Sequence, residues 1–167
     1  MEVGAFSSLY QVTPIEDEDV RDVLELCRRN TVYYEYCPPF VTEESIRRDR
    51  TALPPRKGME DKYYVGFYED GRIIAVMDMI DAYPNRQTAF IGFFMTDVSV
   101  QRKGVGSGSI TELCDYLRVR RYKAVRLGWV KGNSQSEGFW RRNGFVETGD
   151  TYDTGGYTVI VAERDLK

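Results

Sequence analysis

Gln101-Arg102-Lys103-Gly104-Val105-Gly106-Ser107 decides how this chain is read. It follows an apolar run, Ala89 to Val100, that reads as a strand, and precedes Ile110 to Tyr122, which reads as an amphipathic helix. A strand, a glycine-containing turn and a fresh helix N-terminus together make an anion site. The glycines let the backbone turn and approach closely, so that successive N–H groups point at one spot. The helix dipole adds about half a positive charge there. The stretch therefore predicts a phosphate-bearing ligand.

Downstream, Ile110, Leu113, Cys114 and Leu117 share one helix face. The acids of this helix, Glu112 and Asp115, come after its first turn, which leaves the positive pole free for an anion, and Arg118, Arg120, Arg121 and Lys123 crowd its end. Ala124 to Val130 reads as a strand and Asn133 to Asn143 as a short helix stopped by Asn143-Gly144. Phe145 to Thr148 and Thr158 to Glu163 are the last strands, joined through Gly155-Gly156.

Upstream, Thr88 to Val100 is long, and Gly92 within it permits a bulge. It is the third strand of a meander with Tyr63 to Glu69 and Arg72 to Asp81, linked by the hairpin signal Asp70-Gly71 and the turn Tyr83-Pro84-Asn85. Phe6 to Ile15 reads as a first strand. Pro14 and the acidic run Glu16 to Asp19 open a helix whose Val20, Val23, Leu24 and Cys27 share a face. Asn30 to Phe40 reads as a loop, Thr42 as the cap of a second helix, and Leu53 to Lys62 as a surface connection. The order β-α-α-β-β-β-α-β-α-β-β predicts an α/β protein of α+β type, with helices packed on one mixed sheet in a single domain over residues 1–167.

Composition narrows the chemistry. A net charge of -3 argues against nucleic acid as the main partner. No apolar run approaches the ~18 residues of a membrane helix, the N-terminus lacks the features of a secretory signal, and three cysteines that cannot all pair fit a reduced, cytoplasmic setting. The three cysteines, Cys27, Cys37 and Cys114, have no metal-type spacing, and no metal site is predicted. The chain has no histidine, which removes Ser-His-Asp and Cys-His nucleophile systems. A general base must then be a carboxylate, Tyr, Cys, Lys, the amino terminus or a relayed water.

A second block, Asn133-x-x-Ser136-x-x-Phe139-Trp140-x-x-Asn143-Gly144-Phe145, joins Gln101-x-x-Gly104-x-Gly106 in the expected elements and order. Together they resemble the GNAT superfamily of acetyl-CoA-dependent N-acetyltransferases. The resemblance spans nearly the whole chain, most firmly Thr88 to Phe145. It implies acetyl-CoA as cofactor, with backbone amides from Arg102 through Ser107, Val105 included, on the pyrophosphate, and with Arg102 and Lys103 adding positive charge. Phe94, Met95 and Thr96 would hydrogen-bond pantetheine in a splay between their strand and Ala124–Val130. Asn133 matches a pantetheine-contacting Asn and would also cap its helix. Gln101, Ser136 and Trp140 complete the expected cofactor set.

The chain departs from the family's pattern where a Tyr often protonates the leaving thiolate, since Trp140 stands there. Glu35, Asp78, Asp81 and Asp97 are the candidate bases. Tyr33-Tyr34-Glu35-Tyr36 occupies the family's acceptor side, where aromatic walls and one carboxylate suit a cationic amine. The resemblance implies transfer of an acetyl group to a primary amine, on a small molecule or a peptide, by direct attack in a ternary complex. A non-catalytic acyl-CoA sensor is the alternative, and a homodimer through the terminal strands stays open.

Overall fold

The computed structural model describes all 167 residues. Seven strands form one sheet: β1 (Gln11–Pro14), β2 (Lys62–Glu69), β3 (Arg72–Ile80), β4 (Thr88–Thr96), β5 (Ala124–Val130), β6 (Val146–Asp153) and β7 (Thr158–Asp165). Their order across the sheet is β1-β2-β3-β4-β5-β7-β6, and every neighbouring pair is antiparallel except β4–β5. The helices are α1 (Val20–Arg28), α2 (Thr31–Tyr36), α3 (Glu43–Thr51), α4 (Val105–Val119) and α5 (Ser134–Arg142).

Alternation along the strands divides the interior into two cores, one on each face. Ala75, Met77 and Met79 of β3 and Ala89 and Ile91 of β4 pack with Ile110, Leu113 and Leu117 of α4. The opposite face places Val76 and Met95 against Val20, Val23, Leu24 and Cys27 of α1 and Ile46 of α3. Each fully buried Leu, Ile, Val or Met contributes about 1.5–3 kcal/mol relative to exposure.

Local chemistry sets the turns. Asp70 and Gly71 both have positive φ, 50° and 76°, the backbone a two-residue hairpin needs. Thr42 caps α3 by accepting a hydrogen bond from the Ser45 N–H at 3.1 Å. In the β3–β4 register, Met79 pairs with Ile91 and Asp78 with Phe93. Gly92 is therefore the extra residue of a bulge, and a Cβ on it would lie 3.2 Å from Asp78 Oδ2.

The structure corrects several sequence expectations. Phe6 to Tyr10 is not strand. Ser7 and Ser8 donate hydrogen bonds to the Glu112 carboxylate and hold this segment on α4, so β1 starts at Gln11. The expected loop Asn30 to Phe40 contains α2, whose Tyr33 packs edge-on against Phe93 with ring centroids 5.6 Å apart. Val98–Val100 is a 3₁₀ turn rather than strand, because the Asp97 carboxylate accepts from the Ser99 N–H and caps it. The glycine-rich helix begins at Val105, five residues before the first apolar position read from the sequence. Lys62 is no surface residue: its Nζ donates to Asp78 at 2.8 and 2.9 Å and to the Ala52 carbonyl at 2.8 Å.

Candidate active site

The site grows from the one parallel strand pair. β4 and β5 are in register only from Thr88/Ala124 to Ile91/Leu127. Beyond the Gly92 bulge the two strands splay. Gly92 to Thr96 then has no partner on its β5 side, and Gly128 to Val130 none on its β4 side. The gap leaves strand-edge groups facing outward, ready for an extended guest chain.

At the mouth of the gap, the chain turns into α4. Arg102 has φ 60° and Gly104 φ 86°, a left-handed backbone that makes consecutive amides converge. The first backbone bond into the helix is Gly108 N–H to the Gly104 carbonyl at 2.8 Å. The amides of Arg102, Gly104, Val105, Gly106 and Ser107 have no backbone acceptor. A Cβ on Gly106 would lie 3.1 Å from Phe139 and 3.3 Å from Thr96, tighter than ordinary contact, so glycine lets α4 pack closely against β4 and α5. No acid occupies the first turn of α4.

A cleft of about 700 Å³ opens above these amides. Phe94, Met95, Thr96, Gln101, Arg102, Gly104, Gly106, Ser107, Asn133, Ser136 and Trp140 line it, so most of the expected cofactor set is brought together. Lys103 stands exposed outside it, and Val105 packs its side chain against the core. Every charged side chain lining the cleft is cationic: Arg29, Arg102 and Arg142. Arg29 and Arg142 were missed from sequence because each reads as the ordinary basic end of a helix.

Two side-chain amides, buried Asn133 and half-buried Gln101, shape this cleft. Asn133 caps α5 by accepting the Ser136 N–H at 3.0 Å, while its Nδ2 has no acceptor in the protein. Gln101 Nε2 donates to Asn30 Oδ1 at 2.7 Å and to the Thr96 carbonyl at 3.2 Å. Asn30 in turn donates to the Thr96 and Leu26 carbonyls, tying the end of α1 to the end of β4. Gln101 thus holds the loop in place.

A second cavity of about 540 Å³ meets the first where the strands splay. Tyr33, Phe94, Asn133, Ser136 and Trp140 line both. It lies toward the α2 side of the sheet, walled by Phe90, Phe93, Tyr83, Tyr152 and Tyr157. Of the four residues expected on the acceptor side, Tyr33 alone lines it. Tyr34 packs on Phe40 and Tyr33, and Glu35 is exposed on the outer side of α2. Tyr36 lines neither cavity.

The four candidate carboxylates are not brought together, and none lines either cavity. Asp97 is fully buried and ion-paired with Arg29. Burial pushes its carboxyl up, but the Ser99 hydrogen bonds and the Arg29 and Arg72 charges outweigh that and hold it below the usual range. Asp81 accepts from the Tyr122 hydroxyl. Asp78 lies behind the Gly92 bulge, its carboxyl raised by burial and partly restored by Lys62. Trp140 sits in an aromatic cluster with Phe139 at 4.9 Å and Phe145 at 5.1 Å.

The model of the Acetyltransferase (GNAT) family matches residues 29–145. The chain belongs to the GNAT acetyltransferase family, and with it to the acyltransferases. Solved structures of the same fold include an acetyltransferase from Thermus thermophilus, with TM-score 0.73 at 15% identity over 93% of this chain and 96% of that one. The PaiA N-acetyltransferase from Thermoplasma acidophilum, solved with coenzyme A, gives 0.67 at 17% over 93% and 98%. The ribosomal-protein-S18-alanine N-acetyltransferase from Escherichia coli gives 0.66 at 16% over 95% and 94%. No curated protein matches the chain by sequence. The GNAT match runs from Arg29, at the cleft edge, to Phe145, against which Trp140 packs, and so brackets the cleft and its floor. No helix is long and apolar enough to cross a membrane.

Proposed function

We propose that this GNAT chain, residues 1–167 acting as one unit, transfers the acetyl group of acetyl-CoA to a primary amine by direct attack in a ternary complex. The observation that carries the reading is the meeting of two cavities at the β4–β5 splay, one cationic and amide-lined, the other aromatic. Acetyl-CoA would supply an acyl group already activated as a thioester of a good leaving group.

The residues present suit that cofactor. The free amides of Arg102, Gly104, Val105, Gly106 and Ser107 and the positive end of α4 offer a cradle for a pyrophosphate, and Arg29, Arg102 and Arg142 add charge around it. Unpaired backbone along Gly92 to Thr96, with Asn133 Nδ2 opposite, offers hydrogen bonds to an amide-bearing arm entering as an added strand. Amides of this edge that face the gap are also the donors available to a thioester carbonyl, and preorganised donors act strongly where water is excluded.

No carboxylate needs to touch the acceptor in this reading. Holding amine and thioester side by side removes much of the barrier by itself. Trp140 has no proton to give, and a thiolate is a good enough leaving group to depart without an acid; the hydroxyls of Tyr33 and Ser136, which line both cavities, can offer it hydrogen bonds. Burial and the neighbouring Cys37 thiol hold the Tyr33 hydroxyl well above its ordinary pKa, so it stays protonated at neutral pH.

The test is release of CoA thiol from acetyl-CoA with a library of primary amines, followed by mass detection of a product heavier by one acetyl group. Amine-dependent release supports the reading. Tight acetyl-CoA binding with no release from any amine supports the sensor alternative instead.

A further inference from the structure

The second cavity carries a narrower statement, which rests on the amine-acetyltransferase reading above. We propose that the acceptor is a small primary amine bearing one apolar, ring-sized group and no second positive charge.

Charge is the first argument. No Asp or Glu lines this cavity, and its one charged side chain is cationic, Arg126. Arg126 is already saturated: Nη1 donates to Glu163 at 2.7 Å and Nη2 to Asp150 at 2.8 Å. A polyamine or an aminoglycoside would bring several ammonium groups to a wall with no anion to receive them. Buried charge without a partner is costly, so such acceptors are disfavoured by the wall itself.

Shape is the second. Tyr83 and Phe90 meet edge-to-face at 5.7 Å on one side, and Tyr33 and Phe93 do so at 5.6 Å next to the splay. Tyr152, Tyr157, Val159 and Val161 supply the wall from β6, β7 and the turn between them. Cys37 Sγ donates to the Tyr157 hydroxyl at 3.2 Å, joining the end of α2 to that turn, so the two walls are tied together. A space of about 540 Å³ walled largely by rings and aliphatic side chains has room for one ring and a short linker.

The cavity also bears on the protonation state of the acceptor. The attacking amine must be neutral, and no carboxylate is placed to deprotonate it. An apolar wall disfavours the ammonium form and shifts the bound amine toward its free base. The aromatic cavity thereby replaces part of what a general base would do.

The experiment compares 2-phenylethylamine and tryptamine with n-propylamine and spermidine in the thiol-release assay. The two ring-bearing amines should exceed both others in kcat/KM by at least about 30-fold, the scale set by burying one ring-sized apolar group. Tyr152→Glu places a carboxylate at an exposed position of this wall without disturbing the core. It should lower kcat/KM for 2-phenylethylamine by about 10-fold and narrow the gap to spermidine, with acetyl-CoA affinity unchanged. Calorimetry of 2-phenylethylamine against the CoA-saturated protein reads the cavity independently of turnover. Binding weakened by Tyr152→Glu supports the cavity assignment even if no amine is acetylated. Spermidine equal to or better than the ring-bearing amines, no preference for a ring, or no binding of 2-phenylethylamine would overturn it.

Discussion

Gly106 and Asp97 show how single residues carry the site. Gly106 is glycine because of what surrounds it, since a methyl group there presses on Phe139 at 3.1 Å and Thr96 at 3.3 Å. Gly106→Ala should push α4 away from β4, weakening acetyl-CoA binding about 10-fold and costing about 1–2 kcal/mol of stability through overpacking. Titration calorimetry and urea melts read the two effects separately. Asp97 works through charge and a cap. Its folded pKa lies below the ordinary value, so its contribution is fully present above about pH 4 and is lost as pH falls through the lower folded value. Asp97→Asn should cost about 1–3 kcal/mol at pH 7. The difference from the parent protein should stay constant from pH 7 to 5 and shrink below pH 4. An unchanged difference at pH 3 would show that Asp97 acts only through packing.

At the scale of elements, the β2–β3 pair holds a buried ion pair directly behind the bulge. Lys62→Ala would leave the Asp78 carboxylate buried without its cation, at a cost of about 3–5 kcal/mol by denaturant unfolding at pH 7. Asp78 has its folded pKa raised by burial already. The variant raises it further, so its stability declines as pH rises through that value. The variant should therefore lose less at pH 4 than at pH 7; the reverse order would contradict the pairing. This pair was invisible in the sequence because Lys62 ends a Pro- and Gly-containing stretch that looks like surface. The helix α2 was equally hidden. Its six residues carry three tyrosines and two β-branched residues with weak helix propensity, and Asn30 makes no side-chain cap, so tertiary contacts such as Tyr33 on Phe93 hold it. By contrast β5 was legible to the residue, being an apolar run bounded by the basic end of α4 and by Lys131-Gly132. The glycine turn into α4 was legible too, because glycine spacing and helix onset are local properties. Arg29, Asn30 and Arg142 were not, since only the fold turns two helix ends toward one cleft.

Across the whole molecule, the sheet is the device that joins two different binding environments. Five antiparallel joints hold it together, and the one parallel pair opens at a glycine bulge. Helices α4 and α5 close one face of that opening with amides and arginines, and α2 with the β6–β7 hairpin closes the other with rings. Titration calorimetry of the protein with acetyl-CoA and, in parallel, with S-acetylpantetheine tests this account most directly. Acetyl-CoA should bind in the micromolar range and the compound without phosphates at least about 100-fold more weakly, since several charge-assisted hydrogen bonds are lost. Equal affinity for the two, or no heat with acetyl-CoA into the millimolar range, would contradict it.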